Sequence, residues 1–121
     1  MKIQELILIL LIITGVIIQG CDSATDSKAV SITPPVLISP ADGDTLTITI
    51  PTFTWINEAD KFEIDDNGGF TSPNSYVVSG TQFSLPDPLQ TNKWYYWRAG
   101  ITAGNTTYWS QDIFHFLLRS N

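Results

Sequence analysis

The sequence contains little of the chemistry on which metal sites and many enzymes are built. There is one cysteine and one histidine, so an internal disulfide is excluded and little material remains for a metal site or for a thiol or imidazole catalyst. Six basic residues stand against twelve acidic ones, which argues against nucleic-acid binding, because that needs basic side chains to neutralise phosphates. We therefore predict no catalytic residues, no metal, no cofactor and no enzymatic activity.

The apolar content is enough for one folded domain. Of the 121 residues, 43% are hydrophobic and only 15% are charged, a composition that excludes a wholly disordered chain. A chain of this length allows one ordinary domain and little else.

The first twenty residues have the pattern of a signal peptide. Lys2 supplies a positive charge, and residues 6–18 then read LILILLIITGVII, almost wholly apolar. As a helix this run spans about 20 Å at ~1.5 Å per residue, which is short for a bilayer core of about 30 Å. The run has no polar face at a 3.6-residue period, so a buried core helix is a poor alternative.

The end of this segment is more specific. Ile18, Gln19 and Gly20 precede Cys21, and this tetrapeptide resembles the lipobox of bacterial lipoproteins. The resemblance implies that the Cys21 thiol is diacylated, for example with palmitate, and that the chain is cut after Gly20. Two or three acyl chains would give stable anchoring where one would not. The implied location is the bacterial cell envelope, at the outer membrane or cell surface.

A tether is predicted between this anchor and the domain. Residues 21–34 are mostly small, polar or charged and end in prolines, so we expect a flexible linker that stiffens toward polyproline II at Pro34. The alternative is a frayed N-terminal strand around Val30 and Ile32.

The rest of the chain has the residue alternation and the turn signals of an all-β protein. Apolar and polar residues alternate in short runs separated by turn signals, and no long stretch has a helical pattern. The strands expected on this basis are Val36–Ser39, 45–50, 52–55, 61–65, Tyr76–Ser79, Gln82–Leu85, Trp94–Ile101 and Ile113–Leu118. About seven short strands predict a β-sandwich over residues 35–121.

The order of these segments, with Leu89 followed six residues later by Tyr95, resembles fibronectin type III-like domains of bacterial surface proteins, an immunoglobulin-like sandwich. In that family the tyrosine hydroxyl is tied to nearby backbone at a crossover between the sheets. If Tyr95 points inward, Trp97, Ala99 and Ile101 do so too. The resemblance also implies that Trp55 is a core residue and that the side chains of Phe114, Phe116 and Leu118 point inward.

The polar motifs favour ordinary surface chemistry. Asp65-Asp66-Asn67-Gly68 lacks the alternating ligands and distant glutamate of a calcium loop, so we interpret it as a solvated turn. His115 has no accompanying nucleophile motif, and nothing suggests a cleft around Glu58, Asp60 and Glu63 in which carboxylates could cleave a glycoside.

Outward aromatic residues are the one positive indication of binding. A binding surface is predicted from five residues, which are Trp94, Tyr96, Arg98, Tyr108 and Trp109. Aromatic faces can stack on sugars or anchor a protein partner, whereas the alternative is that they simply cover the sheet, with Arg98 stacked on an aromatic ring.

Two functions follow as expectations. The first is a non-catalytic, lipid-anchored interaction or spacer module of the cell envelope, with the membrane as partner through Cys21 and an envelope protein as a further partner. The second is a small surface lipoprotein that binds glycans through the outward aromatic residues.

Overall fold

A computed structural model describes residues 31–121 of the chain. The predicted signal peptide, Cys21 and the tether up to Val30 lie outside the described residues. Residues 31–34 form no strand, so Ile32 is not part of the alternative N-terminal strand. Residues Ile32–Asn121 pack together as one compact unit.

Nine strands and no helix make up the described part of the chain, which confirms the all-β prediction. The strands are β1 Val36–Ser39, β2 Asp44–Leu46, β3 Thr52–Ile56, β4 Lys61–Asp65, β5 Asn74–Val77, β6 Gln82–Ser84, β7 Lys93–Ala103, β8 Thr106–Trp109 and β9 Phe114–Leu118.

The strands form two packed sheets. One sheet has three antiparallel strands in the order β1-β3-β6, and the other has six, in the order β2-β9-β7-β4-β5 with β8 paired to the far end of β7. β2 lies parallel to β9, and the other pairs in this sheet are antiparallel. The described part of the chain is therefore an all-β, sandwich-like fold of a three-stranded and a six-stranded sheet.

The core lies between the sheets and is rich in aromatic rings. Phe53 of β3 packs edge-on against Phe62 of β4 and Trp97 of β7, with ring centroids 4.8 and 5.0 Å apart. Trp55 is 2% exposed, as predicted for a core residue. Edge-to-face aromatic pairs add about 0.5–1.5 kcal/mol each beyond the burial of their area.

Strand β7 alternates between the two faces as predicted. Tyr95, Trp97 and Ala99 are buried, whereas Trp94 is 43% exposed. On β9, Phe116 and Leu118 are fully buried and Phe114 packs partly against the core. Successive side chains of a strand point to opposite faces, so one inward residue decides the direction of the others.

The strand predicted over residues 45–50 is shorter than expected. β2 ends at Leu46, and the alternating residues Ile48 and Ile50 are 65% and 41% exposed. β2 pairs only with β9, and that register ends at Leu46 opposite Leu118. Residues 47–50 therefore continue the β-branched pattern but have no neighbouring strand with which to pair.

Tyr95 closes the connection between the two sheets before β7. Its hydroxyl donates to the carbonyl oxygen of Gln90 at 2.9 Å and accepts from the Gln90 N–H at 3.0 Å. The connection is therefore held by two hydrogen bonds to a single backbone residue, as expected from the sequence.

Candidate functional site

Four of the five residues predicted to form a binding surface share the outer face of the six-stranded sheet. Trp94, Tyr96 and Arg98 face outward on β7. Trp109 of β8 is the cross-strand partner of Gly100, which stands two residues after Arg98 on β7. The Trp109 side chain therefore lies on the same face as Trp94, Tyr96 and Arg98. Tyr108 lies opposite Ile101 and belongs to the other face. The hairpin register therefore separates Tyr108 from the rest of the set.

Arg98 is held between two aromatic rings. Its guanidinium carbon lies 4.4 Å from the ring centroid of Phe70 and 4.1 Å from that of Trp109. Its Nε and Nη2 donate to Oε1 of Glu63 at 3.0 and 2.7 Å. The cation is thus stacked and paired within the domain, as cation–π and charge-assisted bonds favour.

Phe70 is a member of this cluster that the sequence analysis missed. It lies in the loop between β4 and β5 with a φ of 51°, a left-handed conformation that is rare for a bulky residue. Its N–H donates to the carbonyl of Asn67 at 3.0 Å. The loop therefore folds over the sheet, and no local periodicity in the sequence signals this.

Trp109 covers the backbone of Gly100. A Cβ atom built on Gly100 would lie 2.7 Å from Cε3 of Trp109 and 3.0 Å from Cγ2 of Thr107. A methyl group at this position would force the Trp109 ring to shift, so glycine allows the indole to lie directly against the strand.

A second cluster on this face joins Trp94 and Tyr96 to His115 of β9. The Tyr96 and His115 rings stack with centroids 5.6 Å apart and an interplanar angle of 18°, and the Trp94 ring lies 5.0 Å from His115. Oδ1 of Asp42 accepts from the His115 backbone N–H at 3.0 Å and lies 2.5 Å from Nδ1. His115 is therefore engaged by Asp42 and by aromatic rings.

The exposed part of the predicted surface is small. Trp94 and Tyr108 are 43% and 39% exposed, but they lie on different faces. Tyr96 is half-buried, and a Cβ on Gly68 would come within 3.3 Å of its ring. The aromatic residues therefore do not form one flat platform.

The three carboxylates considered for glycoside cleavage each bind a partner within the domain. Glu58 accepts from the N–H of Gly80 at 3.1 Å, and Asp60 accepts from the N–H and hydroxyl of Thr102 at 3.1 Å. The third member of the group considered for glycoside cleavage, Glu63, pairs with Arg98. Each carboxylate has a separate structural partner.

A cleft of about 330 Å³ lies where β4 ends and β7 begins. Asp65 is 8% exposed and accepts from the N–H groups of Asp66 and Ser72 at 2.8 and 3.1 Å, which ties the two ends of the loop together. Lys93 lies 2.9 Å from Asp66; its hydrogen bond and charge lower the pKa of Asp66, and the same contact raises the pKa of Lys93. Within residues 31–121, no three histidine, cysteine or acidic side chains are placed to hold a metal ion.

Comparisons with known proteins give no match, whether with family models, curated proteins or solved structures. In the part of the chain that the structure describes, no helix is long and apolar enough to cross a membrane.

Proposed function

We propose that the protein is a non-catalytic, lipid-anchored spacer or interaction module of the bacterial cell envelope. A lipobox-like N-terminal segment precedes one small sandwich domain, and the outward aromatic residues of this domain contact other residues of the same domain.

The anchor rests on the sequence before residue 22. An apolar segment too short for an ordinary membrane span leads directly to Cys21, which follows Gly20 and stands three residues after Ile18. Acylation at Cys21 would bury many CH₂ groups at about 0.8 kcal/mol each, which is enough for stable attachment when two or more chains are present.

The domain is proposed to be a fibronectin type III-like sandwich. Two observations support this finer assignment, namely the two packed sheets with a mostly antiparallel strand order and the double hydrogen bond between Tyr95 and Gln90 just before β7. Domains of this architecture carry many unrelated functions, so the assignment describes the scaffold and not a ligand.

The packing of Arg98 is the observation that favours a spacer or interaction module over a glycan-binding protein. Its guanidinium lies between Phe70 and Trp109 and pairs with Glu63. A sugar that stacked on Trp109 from that side would have to displace a stacked and ion-paired cation. The outer face is therefore better suited to stabilising the domain than to receiving a sugar ring.

Metabolic labelling tests the anchor. Full-length protein in a bacterial host is labelled with an alkynyl fatty acid and compared with Cys21→Ser and with the matched control Ser23→Ala. We expect label in the wild type and the control and none in Cys21→Ser. Equal labelling of wild type and Cys21→Ser would refute the lipoprotein proposal.

Calorimetric titration against a glycan panel tests the choice between the two functions. A spacer or protein-binding module gives no heat with any glycan. Binding that is lost in Trp94→Ala and retained in Tyr108→Ala would favour the glycan-binding alternative, because Trp94 is the most exposed aromatic residue of the outer face.

A further inference from the structure

The strands of the three-stranded sheet place no charged side chain on the outer face of that sheet. The strands β1, β3 and β6 carry eight side chains on this face, with a bulge in β1 that sets Ser39 opposite Thr54, and none of the eight is acidic or basic. They are Val36, Ile38, Ser39, Thr52, Thr54, Ile56, Gln82 and Ser84. We refer to these residues as the neutral face.

The apolar members of the neutral face are adjacent and exposed. Val36 and Ile56 are direct cross-strand partners, and Val36, Ile38 and Ile56 are 51%, 47% and 52% exposed. Side chains directly opposite each other on an antiparallel pair have Cβ atoms about 4.5–5.5 Å apart. These residues therefore form one continuous apolar patch and not three scattered side chains.

The opposite face of the sandwich shows that this absence of charge is not general. The outer face of the six-stranded sheet carries Glu63, Arg98 and His115 and is partly covered by the loop that contains Phe70. The chain as a whole has a formal net charge of −6. A negatively charged molecule thus keeps one sheet face free of the charges that would repel another copy.

We propose that the neutral face is a pairing surface for a second copy of this chain. Two neutral faces can meet about a two-fold axis without removing any charge from water, so the desolvation cost that opposes burial of charged groups is avoided. Such a pair buries an apolar patch on each side, and the like charges of the two copies stay on surfaces that point away from each other.

The direction of β1 suits two anchored chains. The described chain enters β1 just before Val36, at the end of the sheet that also holds Ile56. A two-fold axis parallel to the strands leaves both N-terminal ends on the same side of the pair. Two chains tethered to one membrane can therefore pair without turning either domain over.

The size of the surface makes the pair weak and reversible. The neutral face has eight residues, whereas a standard interface buries about 800 Å² and about 20–30 residues per partner. Pairing therefore needs the high local concentration that attachment to a common membrane supplies. The inference rests on the proposed anchor for this local concentration, although the neutral face itself belongs to the domain.

Cross-linking in membranes tests the pairing. Thr54, at the centre of the neutral face, is replaced by cysteine in the full chain, and the membrane fraction is treated with a short bismaleimide. The matched control is Ser75→Cys on β5 of the other sheet, and the wild type controls for any free thiol of Cys21. We expect a homodimer band for Thr54→Cys that is at least several-fold stronger than in either control.

A charged side chain placed on the neutral face should weaken the pairing. Adding Ile56→Lys to Thr54→Cys should reduce the dimer band at least several-fold, while Val77→Lys, at a position that is 87% exposed on the other sheet, should leave it unchanged. Higher salt should strengthen the band, because it screens the repulsion between two acidic copies.

The outcomes are decisive in both directions. Equal bands for Thr54→Cys and Ser75→Cys, no band at all, or a cross-link only to a different protein would each overturn the proposal. If fatty-acid labelling shows that the chain is not anchored, the reagent is applied to the purified full chain at millimolar concentration. The failure of the anchor and the failure of the pairing are thereby distinguished.

Discussion

Replacement of Tyr95 by phenylalanine tests how the connection before β7 is held. The ring is 7% exposed and packs against Phe116, with centroids 5.7 Å apart, so phenylalanine preserves the packing and removes only the hydroxyl. The change deletes one bond donated to the Gln90 carbonyl and one accepted from the Gln90 N–H. The perturbation is therefore confined to two hydrogen bonds.

The expected loss follows from these two bonds. A hydrogen bond contributes about 0.5–1.5 kcal/mol net, and a buried group left without a partner costs about 1–3 kcal/mol. Gln90 is exposed, so water can reach its freed backbone groups and lower the cost. We expect Tyr95→Phe to reduce the free energy of unfolding by about 1–2 kcal/mol, which lowers Tm by roughly 4–8 °C per kcal/mol in a domain of this size.

The alkaline pH dependence provides a second measurement. Burial raises the pKa of Tyr95 above its ordinary value of 10.0. The folded state therefore holds this proton more tightly than the unfolded state, and stability falls as pH rises above about 10 toward the folded-state pKa. Tyr95→Phe should lose this part of the alkaline decline while remaining less stable at neutral pH.

Urea unfolding of residues 30–121, followed by tryptophan fluorescence at pH 7 and at alkaline pH, measures both effects. Tyr108→Phe is the matched control, because Tyr108 is 39% exposed and its hydroxyl can bond to water. We expect this control to change stability by less than about 0.5 kcal/mol. Equal losses in the two variants would refute the role assigned to the Tyr95 hydroxyl.

Three further predictions concern other parts of the domain. Gly100→Ala should reduce the free energy of unfolding by about 1–3 kcal/mol through overpacking, and by less in a Trp109→Ala background, where the 2.7 Å contact with the indole is absent; equal losses in a double-mutant cycle of urea unfolding would contradict this. Trp97→Ala should reduce the free energy of unfolding by about 3–5 kcal/mol in the same assay, because the indole is fully buried. A loss below about 1 kcal/mol would contradict its place in the core. Lys93→Gln should raise the pKa of Asp66 toward its ordinary value in an NMR titration, because Lys93 is what lowers it; an unchanged pKa would show that the ion pair does not form in solution.

The directions of the side chains on β7 could be predicted from the sequence because alternation is a local property of a strand. Once Tyr95 is placed inward, Trp97 follows and Trp94 must face outward, whatever the neighbouring strands are. The same alternation predicts Phe116 and Leu118 of β9 in the core, where both are fully buried. Turn residues marked the ends of most strands, since a glycine such as Gly43, with a φ of 87°, serves a turn in any fold.

Pairing and coverage were decided only by the tertiary structure. Ile48 and Ile50 continue a β pattern but have no partner strand, because β9 ends at Leu118. The register of the β7–β8 hairpin decides that Trp109, and not Tyr108, shares the face of Arg98, and a loop distant in sequence brings Phe70 onto Arg98. Alternation along one strand is set by its own backbone, whereas register, strand length and the covering of a face depend on contacts between residues far apart in the chain, which no local pattern contains.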